Sequence, residues 1–219
     1  MRTKNKIKNN TETILLIVGS LLLIIAFILY HYPQILEINN KIYNDIQNKI
    51  FKENTSNNSI SVNVDVSYIE EDKEPDKELE TITPNYIAFL EIDKINLNQG
   101  LLPKTSYYNN VNYHVEILDI SNFPDKVNGN FILAAHSGTS HVAYFKNLYK
   151  LEIGDIAKVY YGGKVYRYSL KNIYYQVKDG SIDIYRDFKK TTLTLITCTK
   201  DDKNSQTIYI LELIAVETY

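Results

Sequence analysis

The sequence predicts a mostly β domain, closed or half-closed into a barrel, held behind an N-terminal membrane-spanning helix. Two observations carry this. A single uncharged apolar run stands near the N-terminus. Beyond a polar, charge-rich stretch, short bursts of Val, Ile, Tyr and Thr recur between Asn, Gly, Asp and Pro, the signature of strands and turns.

The apolar run is Ile14–Tyr30, ILLIVGSLLLIIAFILY, 17 residues without a charge. As a helix it approaches the length needed to cross a hydrocarbon core of about 30 Å, and Thr11, Thr13, His31 and Tyr32 extend it into the interfaces. Arg2, Lys4, Lys6 and Lys8 precede it against the single acid Glu12, and the next cation is Lys41. That asymmetry predicts a cytoplasmic N-terminus and an outside location for everything past His31. A cleaved signal peptide ends its shorter apolar core with small residues, whereas this run ends FILYHYP, so an uncleaved anchor is expected. The topology is then single-pass type II in the cell membrane.

From Pro33 the composition shifts. Ile38, Ile42, Ile46 and Ile50 recur every four residues, which predicts an amphipathic helix over 37–52. ENTSNNS (53–59) reads as loop, 60–68 as a short strand or extended linker, and EEDKEPDKELE (70–80) as a solvated spacer. The chain therefore divides into a cytoplasmic N-terminus (1–13), a transmembrane anchor (14–32), an extracellular stalk (33–81) and a folded domain (82–219).

Within that domain, Gly162-Gly163 between two alternating runs marks a tight hairpin. VYRYSL alternates, so one face is expected to meet water. NFILAA and LTLITC are continuous apolar runs, as central strands covered on both faces require. VAYFKNLYKL, with Phe145, Leu148 and Leu151 about one turn apart, reads as the one helix. No glycine-rich loop follows a strand, which disfavours nucleotide binding. The formal net charge of −2 gives no basic field for nucleic acid.

One cysteine among 219 residues excludes an internal disulfide and any multi-cysteine metal site. Cys198 ends LTLITC and His136 ends NFILAAH, so both emerge where a buried strand runs out into a loop. A thiolate is a strong nucleophile toward carbonyl carbon, and a nearby imidazole protonates the leaving amine. By spacing alone this pair is a weak signal, since a lone cysteine is more often a small buried hydrophobe. His141 reads as a solvent-facing loop residue and His114 as structural. Asp179, Asp183 and Asp187 are too scattered to support a calcium site, so no cofactor is expected.

Several motifs in order give the pair more weight. GNFILAAHSG (129–138), the series Phe145, Leu148, Leu151, Gly154, Asp155, and TLITC (194–198) together resemble the sortase family of membrane-anchored cysteine transpeptidases. YIAFLEIDKINLNQGLLP resembles the family's opening strand, with Ile92-Asp93 where Ile-Pro is usual. The similarity runs from about Asn85 to Val216.

The resemblance implies an eight-stranded β-barrel with one or two short helices. It implies Cys198 as nucleophile and His136 as acid/base, acting on a Leu-Pro-x-Thr-Gly-like sorting signal of a secreted protein through a thioacyl intermediate. The acceptor would be the amine of a peptidoglycan precursor or of a pilin. Sortases usually carry an arginine eight or nine positions after the cysteine; here those positions are Gln206 and Thr207. Gln206 offers a neutral amide donor in its stead, and Arg186 is the second candidate. Two other readings stay open: a membrane-tethered module that binds without turnover, and a cysteine hydrolase.

Overall fold

A computed structural model of the chain describes residues 2–57 and 85–219. The strand expected at 60–68 and the spacer at 70–80 lie outside the described residues. The chain resolves into two compact units, Met1–Tyr43 and Asn44–Tyr219, and one helix, α1 (Arg2–Asn57), contributes to both.

In the first unit, Thr13–Tyr32 is a 20-residue stretch of mean hydropathy 2.8, long and apolar enough to cross a membrane. Its leucines, isoleucines and Phe27 are exposed around the whole circumference, the pattern of a helix that is apolar all round.

The second unit begins inside α1. Glu53–Asn57, expected as loop, continue the helix. Adding residues to a formed helix costs far less than starting one, and Lys49 and Glu53 pair at i,i+4 across 3.9 Å. The isoleucine stripe marks the helix but is not the face that docks. Ile46 and Ile50 are exposed while Asn44 and Asn48 are buried. The reason is polar matching: Asn44 donates to Gln99 Oε1 at 3.1 Å and Asn48 to Asn98 Oδ1 at 2.7 Å. Phe51 packs on Phe89 with ring centroids 5.3 Å apart.

Eight strands follow: β1 (Ala88–Ile92), β2 (Leu97–Leu101), β3 (Glu116–Ile117), β4 (Asn130–Ala134), β5 (Ile156–Tyr161), β6 (Lys164–Val177), β7 (Thr192–Cys198) and β8 (Ser205–Thr218). They form one sheet in the order β2-β1-β5-β6-β8-β7-β4-β3, curled into a nearly closed barrel. Every pairing is antiparallel except β4 with β7. Inward residues such as Leu90, Phe131, Leu133, Tyr168, Leu193, Leu195 and Leu211 make the main core. β4 and β7 are buried on both faces, as their continuous apolar runs predict.

Gly162 and Gly163, at φ 56° and 74°, turn β5 into β6, a two-residue hairpin that needs left-handed backbone at both positions. Gly100 has another reason: a Cβ there would lie 2.6 Å from the Tyr86 ring.

Two expectations are corrected. VYRYSL belongs to a 14-residue strand, β6, that runs on to Val177, bent by register shifts at Arg167/Tyr168 and Leu170/Asn172. The outer face of its first half is covered too: Val165 joins Tyr86, Phe89 and Tyr160 in a second cluster against Phe51 and Tyr219. VAYFKNLYKL forms successive turns and a single 3-10 turn at Leu148–Lys150 instead of a helix. Its bonds run i to i+3, from Lys146 to Ala143, Leu148 to Phe145 and Leu151 to Leu148. The buried Phe145, Leu148 and Leu151 recur at three residues, the period of that tighter coil.

Candidate active site

The parallel β4/β7 pair positions the two residues of interest. Its register ends at Ala134↔Ile196. His136 follows two residues after the end of β4 and Cys198 is the last residue of β7, so both stand at the same end of this strand pair and line one cleft.

Side-chain bonds lock the two strand ends together. Thr192 and Thr194 both donate to Asn130 Oδ1 at 2.9 Å. Thr197 Oγ1 donates to the Ala135 carbonyl at 2.7 Å, and Ser137 Oγ donates to the Cys198 carbonyl at 2.7 Å. The His136 carbonyl accepts the Phe145 N–H at 2.9 Å, fixing the strand end to the turns that follow. The neighbours of His136 on both sides are therefore bonded to the cysteine segment. Sequence reasoning missed Ser137 and Thr197; the hydroxyl-rich flanks of both motifs were the available signal.

β8 brings a third residue into a row with Cys198. Cys198 faces Gln206 directly. Because Thr199 and Ser205 are a hydrogen-bonded pair, Cys198 and Gln206 are the closer, non-hydrogen-bonded kind. Gln206 is buried and its amide donates to the Ser181 carbonyl at 2.9 Å. Thr207 alternates to the inner side and meets Thr199 Oγ1 at 3.0 Å.

Arg186 is not brought to the thiol. Its guanidinium bonds the Asn128 and Lys190 carbonyls at 3.2 and 3.1 Å and lies 4.6 Å over Phe188. It also meets Thr192 Oγ1 at 3.5 Å, and Thr192 opens β7 where Cys198 closes it, roughly 20 Å away along the strand. A residue the sequence did not suggest stands there instead: Lys178 Nζ lies 3.6 Å from Cys198 Sγ.

His136, Lys178 and Cys198 line an open cleft of about 1100 Å³ together with the 137–140 segment and the turn after the cysteine. In that turn Asp201 adopts φ 63°. The Ser205 hydroxyl and the Asn204 N–H hold the Asp202 carboxyl below its usual range. Ile132, Ile196, Ile208 and Ile210 of β4, β7 and β8 form a separate apolar cluster, with Ile184 of the β6–β7 connection packed on it. That connection is tied down by Gln206, by Gln176 Oε1 accepting the Asp183 N–H at 3.0 Å, and by Tyr174, whose hydroxyl donates to Asp183 O at 2.8 Å.

His141 is exposed in its loop. His114 is half-buried between Gln99, Tyr86 and the stacked Tyr144 ring, and burial lowers its pKa. Among the described residues, no three His, Cys, Asp or Glu side chains gather in a way that would hold a metal ion.

A Sortase domain family model matches residues 90–213. Comparison with curated proteins gave no match. Among solved structures the chain is similar to a sortase D5 transpeptidase of Clostridium perfringens, with TM-score 0.51 and 25% identity over 63% of this chain and 84% of that one. It is similar to sortase C1 of Streptococcus agalactiae, with TM-score 0.52 and 25% identity over 59% and 68%. Sortase E1 of Streptomyces coelicolor, solved with a tripeptide in its active site, shares the fold at TM-score 0.50 and 22% identity over 61% and 90%.

Proposed function

The chain belongs to the sortase family, and from that premise we propose that it is a membrane-anchored cysteine transpeptidase with Cys198 as nucleophile and His136 as acid/base. The observation that carries this reading is that His136 and Cys198 line one open cleft. The substrate in this reading is a secreted protein with a Leu-Pro-x-Thr-Gly-like signal, taken up in that cleft. The apolar N-terminal helix, preceded by Arg2, Lys4, Lys6 and Lys8, supports a type II orientation with the domain (82–219) outside, on the stalk of 33–81.

The chemistry follows from these groups. The Cys198 thiolate attacks the threonine carbonyl carbon; a C–S bond forms as the carbonyl pair moves onto oxygen. Gln206, on the adjacent strand, offers an amide N–H toward that oxygen. Collapse breaks the C–N bond, and the leaving glycine amine takes a proton from His136. An incoming amine, from a peptidoglycan precursor or a pilin lysine, attacks the thioester and gives a proton to His136, which restores the thiolate. No cofactor enters these steps.

The test uses the full-length chain in detergent micelles with Leu-Pro-x-Thr-Gly peptides. The expected outcome is a thioacyl adduct on Cys198 by mass spectrometry, cleavage that an added amine diverts into ligated product, and no cleavage by Cys198→Ala. Hydrolysis that ignores added amine identifies a cysteine hydrolase. Gln206 in the position usually held by an arginine favours a second reading, a docking module without turnover. Peptide binding with no adduct decides for it.

A further inference from the structure

We propose that Lys178 is a catalytic residue of this site, supplying the positive charge that faces first the Cys198 thiolate and then the oxyanion of the acyl-transfer step. The inference rests on the transpeptidase reading above. Its direct ground is the 3.6 Å contact between Nζ and Sγ, with His136, Lys178 and Cys198 on one cleft.

The backbone beneath the ammonium is fixed. Val177 ends β6 opposite Ser205, and the Lys178 N–H donates to the Asn204 carbonyl at 2.8 Å, which carries the β6/β8 ladder one step further. Lys178 thus leaves the sheet two residues after Gln176, whose cross-strand partner Gln206 faces Cys198. Among the described residues no carboxylate lies within salt-bridge distance of Lys178. Of the other cationic side chains around the cleft, Lys200 sits over the Tyr149 ring at 3.8 Å.

The neighbouring Gln206 already donates to Ser181 and is neutral, so it brings no charge to the row. A lysine suits the sequence of events. Its ammonium is a point charge with three donors on a flexible stem, so it follows the negative charge as it moves from sulfur to oxygen. It exchanges no proton: the C–S bond forms and the C–N bond breaks as above, with His136 handling protons throughout.

The experiment compares full-length wild type, Lys178→Met, Lys178→Arg and the remote hairpin control Lys164→Met. Two rates are read: alkylation of Cys198 by iodoacetamide at neutral pH, and turnover of a Leu-Pro-x-Thr-Gly peptide. Lys178→Met is expected to slow alkylation about fivefold, the scale of a unit charge at contact distance in a solvated site, and to lower kcat with little change in KM. Lys178→Arg restores both. Alkylation of Lys178→Met at the wild-type rate overturns the proposal. Should wild type cleave no peptide, the transpeptidase reading fails, while the alkylation comparison still decides whether Lys178 acts on the thiol.

Discussion

Thr197 precedes the proposed nucleophile, and its hydroxyl holds the Ala135 carbonyl, one residue before His136. Thr197→Val keeps the shape and leaves that carbonyl without its partner. The expected result is a loss of about 1–2 kcal/mol of stability, the cost of an unsatisfied buried acceptor, and a fall in kcat; thermal unfolding and peptide turnover check both. That Cys198 and His136 come to one cleft was legible because whole motifs surround them. Lys178 was not, because the sequence marks no link between the end of β6 and the cysteine: that contact depends on how far a bulged strand runs past its partner. Arg186 was a candidate by residue type alone, and its guanidinium is instead bound to carbonyls at the opposite end of β7.

Among elements, the β6–β7 connection behaves as a wall whose position depends on a few side chains of the sheet. Gln206 is one, through Ser181. Gln206→Ala is expected to leave the melting temperature within a few degrees and to reduce kcat/KM; a change mainly in KM identifies the wall as the route, and a change mainly in kcat identifies loss of the amide donor at the oxyanion. β4, β7 and the Gly162-Gly163 hairpin could be read in advance, since continuous apolar runs and paired glycines each admit few conformations. The segment 142–151 could not, because residues three apart fit an α-helix and a chain of 3-10 turns equally well. The isoleucine period of α1 announced a helix and concealed its docking face, where asparagines are matched to asparagine and glutamine on β2.

The barrel domain as a whole is expected to lose stability on the acid side in two steps. Burial holds the His114 pKa below its ordinary value, so the unfolded chain takes up a proton first and stability declines as pH falls below about 6.5. Glu91 is the second group. Burial pushes its pKa up, but the ammonium groups of Lys158 and Lys52, at 2.8 and 3.2 Å, outweigh that and hold it at about 2. Its contribution is complete above the ordinary carboxylate range and is lost as pH falls toward 2. Thermal melts across pH 2–8 check both steps: His114→Phe removes the upper one and Glu91→Gln the lower.

The single parallel pairing in the sheet has a kinetic meaning as well. Ala135 and Thr197 are 62 residues apart, with β5 and β6 between them in the chain. His136 and Cys198 therefore come to one cleft only by closing a long loop, a contact of high sequence separation that slows folding. In the proposed type II topology, a chain threaded unfolded through a membrane carries Cys198 apart from His136, so the proposed chemistry begins only when the fold is complete.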